Sequence, residues 1–194
     1  TRMGIAADAK LTSGQAIGAK IEYELESNSS SSVSNLEKDT SADIKIRHTD
    51  LWFKGAFGKL SIGRGSTASD GTAESDLSGT SVVTYNGIGD MAGGQIWYSD
   101  TAATPEEDEE FLVVGDVFDN MDGLSRRDRF RYDSPDFSGF SVSGSAVEDD
   151  AFDLAARYSR KYDDAGIKVA TSVGWADGGD LKSYEDQLSG SLSI

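Results

Sequence analysis

Five segments of the chain alternate between apolar and polar residues with a period of two, the pattern of a β-strand with two unlike faces. They span residues 16–26, 139–147, 153–162, 167–175 and 184–194. In the first segment Ile17, Ile21 and Leu25 share one face and glutamates occupy the other, while in the second segment serines alternate with apolar residues. The pattern predicts an all-β protein. By itself it does not decide which face is buried.

The connections between these segments alternate between short and long. Tight or modest turns are predicted at 8–15, 54–58, 134–139 and 163–166. Between them lie a serine-rich loop at 27–42, a very long segment at 66–124, and shorter loops near 148–152 and 176–183. An antiparallel up-and-down sheet with all its short connections at one end is typical of an outer-membrane β-barrel. Aromatic residues gather beside the short turns, where such barrels carry an interfacial girdle: Phe53, Phe57, Tyr132, Phe137, Phe140 and Tyr162. The alternative is a soluble Greek-key sheet with these aromatics in its core.

The composition of the 194 residues excludes several classes of protein. The net charge of −16 argues against nucleic acid as a partner, because phosphate binding needs a basic surface. No run approaches 18 apolar residues, so no transmembrane helix is expected. The absence of cysteine excludes disulfides and cysteine-ligated metals. The first residues, Thr-Arg-Met, have no signal-peptide character, which predicts a mature protein or a fragment.

Three blocks of the sequence resemble the general trimeric porins of Gram-negative outer membranes. "TRMGIAADAKLTSGQAIGAKIEYELE" is similar to a porin strand ending in Arg-x-Gly, a short turn and a strand ending in glutamate. "RHTDLWFKGAFGKLSIGRGS" is similar to the porin hairpin with a Gly-x-Phe-Gly turn, and "RFRYDSPDFSGFSVSGSA" to the hairpin with Tyr-x-Ser-Pro. The blocks occur in the family's order and spacing and together reach across nearly the whole chain.

The resemblance implies an antiparallel up-and-down transmembrane β-barrel in the outer membrane of a Gram-negative bacterium. General porins have about 16 strands, and about nine are counted here, so residues 1–194 are expected to be a single partial barrel domain and an interior fragment of a porin. The implied function is passive diffusion of small hydrophilic solutes and ions, without catalysis or a cofactor. The implied partners are outer-membrane lipid and two further copies in a homotrimer.

The segment 66–124 is expected to be an inserted constriction loop. It contains thirteen aspartates and glutamates and no lysine or arginine. It follows Gly63-Arg64, where porins have the loop that folds into the lumen, and a long irregular segment in a compact domain is usually functional. Residues 105–110, Pro-Glu-Glu-Asp-Glu-Glu, instead suggest a solvated surface loop.

The basic side of the predicted constriction is the cluster at 125–131. By alternation Arg127, Arg129 and Arg131 share one strand face, with Phe130 and Tyr132 on the other. If the aromatics meet lipid, the arginines point into the lumen, since an arginine near the lipid midplane costs about 2–4 kcal/mol. The resemblance adds Arg2 and Arg64 to this wall. Strict alternation places Arg64 with Leu60 and Ile62, so a bulge at Gly63 or Gly65, or a rim position, is needed.

Asp76 and Asp90 are the predicted acidic partners, because they lie in the first half of the loop among glycines that permit tight folding. A loop of acidic side chains facing arginines would set up a transverse field that filters solutes by width, charge and dipole. Loop-bound calcium is a competing role for these carboxylates. The chain has no D-x-D-x-D-G spacing, so no specific metal site is predicted.

Two other functions remain open from the sequence. An enzyme would have to use His48, the only histidine, which stands alone at a strand start with no G-x-S-x-G elbow, so no catalytic residue is predicted. The alternative function is a secreted or surface-exposed acidic β-sheet binding or adhesion protein. That protein would bury its isoleucines, valines and leucines between two sheets.

Overall fold

The computed structural model describes residues 1–34, 39–80, 87–98, 112–118, 120–181 and 185–194. The α-helices are α1 (Ile88–Ala92) and α2 (Val114–Val117), and Gly179–Leu181 forms a 3-10 turn. No helix within these ranges is long and apolar enough to cross a membrane. The strands, in chain order, are β1 Arg2–Lys10, β2 Ala16–Glu26, β3 Asp43–Gly55, β4 Gly58–Ser66, β5 Ile96–Tyr98, β6 Leu112–Val113, β7 Arg126–Asp133, β8 Phe140–Val147, β9 Phe152–Tyr162, β10 Ile167–Asp177 and β11 Asp186–Ser193.

Nine of these strands form one sheet in the order β1-β2-β3-β4-β7-β8-β9-β10-β11. The pairings recorded along it are antiparallel, and each strand lies beside the next one of the sheet in sequence. The all-β, up-and-down prediction is therefore confirmed. The sheet is open, with β1 and β11 at its edges, and residues 67–125 are inserted between the neighbouring strands β4 and β7.

The apolar face of the sheet is exposed and the polar face is the more buried one. Ile5 is 75% exposed, Leu51 60% and Leu188 68%, whereas Ser143, Asp153 and Ser172 on the other face are buried. A soluble sandwich would show the reverse arrangement, because the hydrophobic effect would drive the apolar faces together. An outward apolar face is the arrangement of a membrane-spanning sheet.

The alternation changes phase within β3. Arg47 and Asp50, three residues apart, both turn to the polar side, where Arg47 contacts Glu22 and Asp50 contacts Arg129. Gly63, paired with Asp50, has a φ of +106°, a conformation that side chains other than glycine's rarely adopt. The shift lets β3 present carboxylate and guanidinium groups to one face along its length.

The apolar core of the sheet is small and lies toward the long connections. Leu124, Ala151 and Ala176 are fully or almost fully buried, and Val147 and Leu181 pack against them. A large core is not expected in a sheet whose isoleucines and leucines point outward. Outside this core, much of the buried part of the protein is therefore stabilised by polar contacts.

The chain divides into two compact units. The first comprises residues 1–24, 45–80 and 121–194 and contains most of the sheet; the second comprises 25–44 and 81–120. In the second unit the hydroxyl of Ser30 donates to the carbonyl oxygen of Asp90 at 2.6 Å, and Gln95 Nε2 donates to that of Val33 at 2.9 Å. The serine-rich connection and α1 thus pack together within this unit.

Candidate functional site

The site is the polar face of β7–β11, over which the chain segment Ser66–Leu77 runs. We call this stretch the inner segment. Within it Thr67, Ala68, Ser69 and Thr72 are buried. Burial of irregular backbone requires that its N–H and C=O groups find partners. Here the strands beneath supply those partners.

Serine hydroxyls on β8, β10 and β11 bind the inner segment at successive points. Ala68 N–H donates to Ser145 Oγ at 2.7 Å, Ser75 N–H to Ser191 Oγ at 2.8 Å, and Leu77 N–H to Ser193 Oγ at 3.0 Å. The hydroxyls of Ser172 and Ser191 donate to the Thr72 carbonyl oxygen at 2.9 and 2.7 Å. A serine hydroxyl both donates and accepts, so it can serve either group of a backbone.

Asp153 on β9 is the most enclosed polar contact of this face, with no exposed surface. Its Oδ2 accepts from Ser69 N–H at 2.7 Å and from the Ser69 hydroxyl at 2.5 Å, and its Oδ1 accepts from Ala68 N–H at 3.1 Å. A buried carboxylate is costly unless it is hydrogen-bonded. Three donors from one turn of the inner segment meet that requirement.

Gly174 shows how closely the inner segment approaches β10. A methyl group at this position would come within 2.5 Å of Thr72 Oγ1. The hydroxyl of Thr72 also contacts Ser189 Oγ on β11 at 2.7 Å. The absence of a side chain at Gly174 therefore lets the inner segment lie directly on the strand.

Arginines complete the attachment of the inner segment. Arg131 Nη1 donates to the carbonyl oxygens of Ser66 and Thr67 at 3.1 and 2.6 Å, and Arg129 Nε donates to that of Ser66 at 2.9 Å. Arg157 Nη2 donates to the carbonyl oxygens of Ala68 and Asp70, both at 2.8 Å. The rigid fork of a guanidinium suits such multiple contacts.

The structure brings three predicted wall residues together on β7. Arg127, Arg129 and Arg131 pair with Gly65, Gly63 and Ser61 of β4, which places them on one face. Arg129 is buried in an ion pair with Asp50 at 2.7 Å, and Arg131 pairs with Asp133 at 2.6 Å. Arg127 Nε and Arg126 Nε are buried and have no hydrogen-bond partner among the residues that the structure describes.

Arg2 belongs to a charged network at the other end of the sheet. Arg2 Nε contacts Glu24 Oε1 at 2.8 Å, and Arg47 joins Glu24 to Glu22 through contacts of 2.6 and 3.0 Å. Lys20 extends the chain to Glu22 at 2.8 Å. Positive and negative groups alternate along this network, so their fields largely cancel beyond a few ångströms.

Arg64 is placed apart from the β7 arginines. It pairs with Asp128 of β7 and Thr49 of β3, in register with the exposed Ile62 and Phe130. Its Nε donates to the carbonyl oxygen of Ile46 at 3.0 Å. Gly63 has a positive φ, but the register of β4 with β3 runs through Gly63 and that with β7 through Gly63 and Gly65 without a shift.

The two predicted acidic partners fall in different units. Asp76 is half-buried in the first unit, where its Oδ1 accepts from Ser78 N–H at 2.8 Å. Asp90 is exposed in the first turn of α1, in the second unit. The acidic run at 105–110 lies outside the described residues.

Asp122 forms an acidic group with Asp70 and Glu74 that the sequence did not single out. Its Oδ1 accepts from Gly71 N–H at 2.7 Å. Burial, followed by the nearby charge of Asp70, raises the pKa of Asp122 to about 7. Asp122 therefore titrates near neutral pH and holds the returning chain against the start of the inner segment.

No cluster of three or more histidine or carboxylate side chains is placed to hold a metal ion within the described residues. The calcium role stays a prediction. His48 lies in β3, next to Arg47 of the charged network.

Asp153, Arg157 and the serines of β8–β11 were missed as functional residues by the sequence reasoning. The signal was present as serine at every second position, in 141–145 and 189–193. Alternating serine identifies a polar face but does not reveal that a backbone lies on it.

The chain matches the family model described as Gram-negative porin over residues 1–194, its whole length. No curated protein matches it significantly. An antiparallel sheet with an outward apolar face and an irregular segment on its polar face is the architecture of an outer-membrane channel. The chain belongs to the Gram-negative porin family. It is a porin-type channel protein of the Gram-negative outer membrane, and this is a family of channels rather than of enzymes.

Proposed function

We propose that the protein is a passive diffusion channel for small hydrophilic solutes and ions, narrowed by a charged constriction. The segment 66–124 supplies the constricting chain, and residues 1–194 form a single partial barrel domain. The observation that carries the proposal is the attachment of the inner segment to the polar face, through Asp153 and the serines of β8–β11. A chain on the lumenal face of a porin reduces the open cross-section.

In this channel Arg2, Arg127, Arg129 and Arg131 form the basic wall, Asp76 and Asp90 form the acidic side, and Arg64, in register with the outward-facing Ile62 and Phe130, belongs to the rim of the wall. The arginines of β7 have different tasks. Arg129 and Arg131 position the inner segment through its carbonyl oxygens. Arg127, whose Nε has no partner, contributes its charge to the lumen. Opposed charges in a narrow passage filter solutes by charge and dipole as well as width.

The protein acts as a homotrimer in contact with outer-membrane lipid, as is typical of the family. The net charge of −16 favours cations over anions in the lumen. The proposal requires no cofactor.

The test is electrical recording from the full-length protein in a planar lipid bilayer under a salt gradient. Stepwise insertions in groups of three are expected, with a reversal potential of the sign for cation preference. Arg127→Gln should shift the reversal potential further toward cations. Arg160→Gln removes the same charge from the opposite, apolar face and should leave the reversal potential unchanged. Folded protein without conductance would overturn the channel, and equal shifts in both variants would overturn the charged constriction.

A further inference from the structure

Arg160 is a cation on the apolar face of the sheet. In the β9–β10 register it pairs with Val169, and Tyr162 and Tyr158 lie two residues away on the same face. Leu154, further along this face, is 56% exposed. An exposed arginine among apolar neighbours needs an explanation, because the same face meets lipid elsewhere along the strand.

In the part of the chain that the structure describes, the N–H donors of Arg160 make no hydrogen bond. Its guanidinium carbon lies 5.4 Å from the centre of the Tyr162 ring, and the Tyr162 hydroxyl bonds to that of Tyr158. Within the described residues no carboxylate pairs with Arg160. The Asp136 carboxylate of the adjoining turn accepts from Gly139 N–H at 3.0 Å instead. A guanidinium carries five N–H donors, and these remain available.

Three arginines of the polar face differ in this respect. Arg47, Arg129 and Arg131 each pair with a carboxylate at 3.0 Å or less. Arg160 has an aromatic ring as its partner instead, and a ring does not neutralise a positive charge. The charge of Arg160 could therefore be neutralised by an anion from outside the protein.

Arg160 lies close to the short-turn end of the sheet. It is near the short turn at 163–166, and Phe137, Phe140 and Tyr162 are exposed around this end of the sheet. Aromatic residues at this level mark the membrane–water interface. Arginine on a barrel's lipid face costs about 2–4 kcal/mol at the midplane but only about 0–1 kcal/mol near the interface.

We propose that Arg160, with the hydroxyls of Tyr158 and Tyr162, binds the phosphate of a phospholipid headgroup at the short-turn rim. The guanidinium donates charge-assisted hydrogen bonds to the phosphate oxygens. A tyrosine hydroxyl adds a further donor. The neighbouring apolar side chains, among them Ile167 and Val169, accommodate the start of the acyl chains. This site is on the opposite face from the proposed constriction. The proposal depends on the outer-membrane location of the family and not on the constriction.

The test measures how much phosphatidylglycerol the folded, detergent-solubilised full-length protein retains in native mass spectrometry. Arg160→Gln is expected to weaken the tightest-bound lipid about tenfold, the usual effect of losing a hydrogen bond to a charged group. Tyr158→Phe should weaken it to a smaller extent. The matched control is Lys161→Gln, because Lys161 is the next residue, faces the other way and pairs with the exposed Asp163.

Inorganic phosphate as a competitor distinguishes the two sources of the anion. A lipid site requires that phosphatidylglycerol stays bound while inorganic phosphate is added. Displacement by inorganic phosphate would overturn the lipid site in favour of a simple anion site. Equal lipid loss in Arg160→Gln and Lys161→Gln, or no loss in Arg160→Gln, would also overturn it. Conductance of each variant checks folding and is independent of this outcome.

Discussion

The polar face of the sheet is used differently over β1–β3 and over β8–β11. Over β1–β3 it carries long charged side chains, in which Arg47 links Glu22 and Glu24. Over β8–β11 it carries serines and Asp153, and the inner segment lies on them. In the first region the polar side chains pair with one another within the sheet. In the second region they form hydrogen bonds with the backbone of the inner segment.

The difference teaches that side-chain length decides what a polar face can hold. A serine hydroxyl extends only one bond from Cβ, so a backbone can lie at hydrogen-bond distance above the strand. Gly174 takes this further, with Thr72 directly above it. Long charged side chains act differently: over β1–β3 they pair laterally with their neighbours, and on β7 and β9 Arg131 and Arg157 reach carbonyl oxygens of the inner segment.

The largest effect is expected from Asp153→Ala. It leaves the buried Ser69 N–H without its partner, while Ala68 N–H keeps Ser145. An unsatisfied buried donor costs about 1–3 kcal/mol. Hydrogen exchange should show that opening of residues 68–69 becomes easier by about this amount, and single-channel current should become noisier. Asp163→Ala, on an exposed turn, is the control. Unchanged exchange at 68–69 would show that Asp153 does not hold the inner segment.

The next effect is a pH dependence of the same region through Asp122. Its folded pKa of about 7 exceeds the ordinary value of 3.8, so the folded state binds more protons between these pH values. The contribution of Asp122 to the free energy of unfolding is then fully present below about pH 4 and is lost as the pH rises through about 7. Protection of the Gly71 amide should fall between about pH 4 and about pH 7. Asp122→Asn should abolish this slope, and a slope that persists would assign it to another group.

Ser172→Ala tests a single serine contact. It removes hydrogen bonds to the Thr72 carbonyl oxygen and to Ser75 Oγ, the latter at 2.8 Å. The expected loss is about 1 kcal/mol, because Ser191 still donates to Thr72. Exchange of the residue 72–75 amides measures it. Ser159→Ala, at an exposed position, should have no effect there. Equal effects of Ser172→Ala and Ser159→Ala would contradict a specific contact between Ser172 and the inner segment.

The smallest stability effect is expected from Arg47→Gln in the β1–β3 region. Partly exposed ion pairs contribute about 1 kcal/mol or less. The variant leaves Glu22 and Glu24 with one positive charge fewer, so the reversal potential should shift toward cation preference. Glu22→Gln should shift it in the opposite direction. Shifts of the same sign in both variants would show that this network does not face the permeating ions.

Much of the fold was predictable because alternation and turn residues act locally. β2 begins and ends where the pattern placed it, at Ala16 and Glu26, and the short turns lie at the predicted places. Arg127, Arg129 and Arg131 were correctly placed on one strand face.

The contacts of those arginines were not predictable, since they depend on which distant groups the fold brings near. Arg129 and Arg131 bind carbonyl oxygens about 65 residues away in sequence. Arg64 illustrates the same limit. Its face follows from alternation, but its contact with the Ile46 carbonyl oxygen depends on how β3 and β4 are paired.

The sequence by itself determined the strands, their two faces, the short-turn end and the membership of a porin-like family, because each depends on local spacing and residue type. Only the tertiary structure decided that the serines of β8–β11 and Asp153 bind a crossing backbone while the glutamates of β2 bind arginines. A polar side chain has no preferred partner in sequence. Its partner is whichever donor or acceptor the packed chain places within about 3 Å.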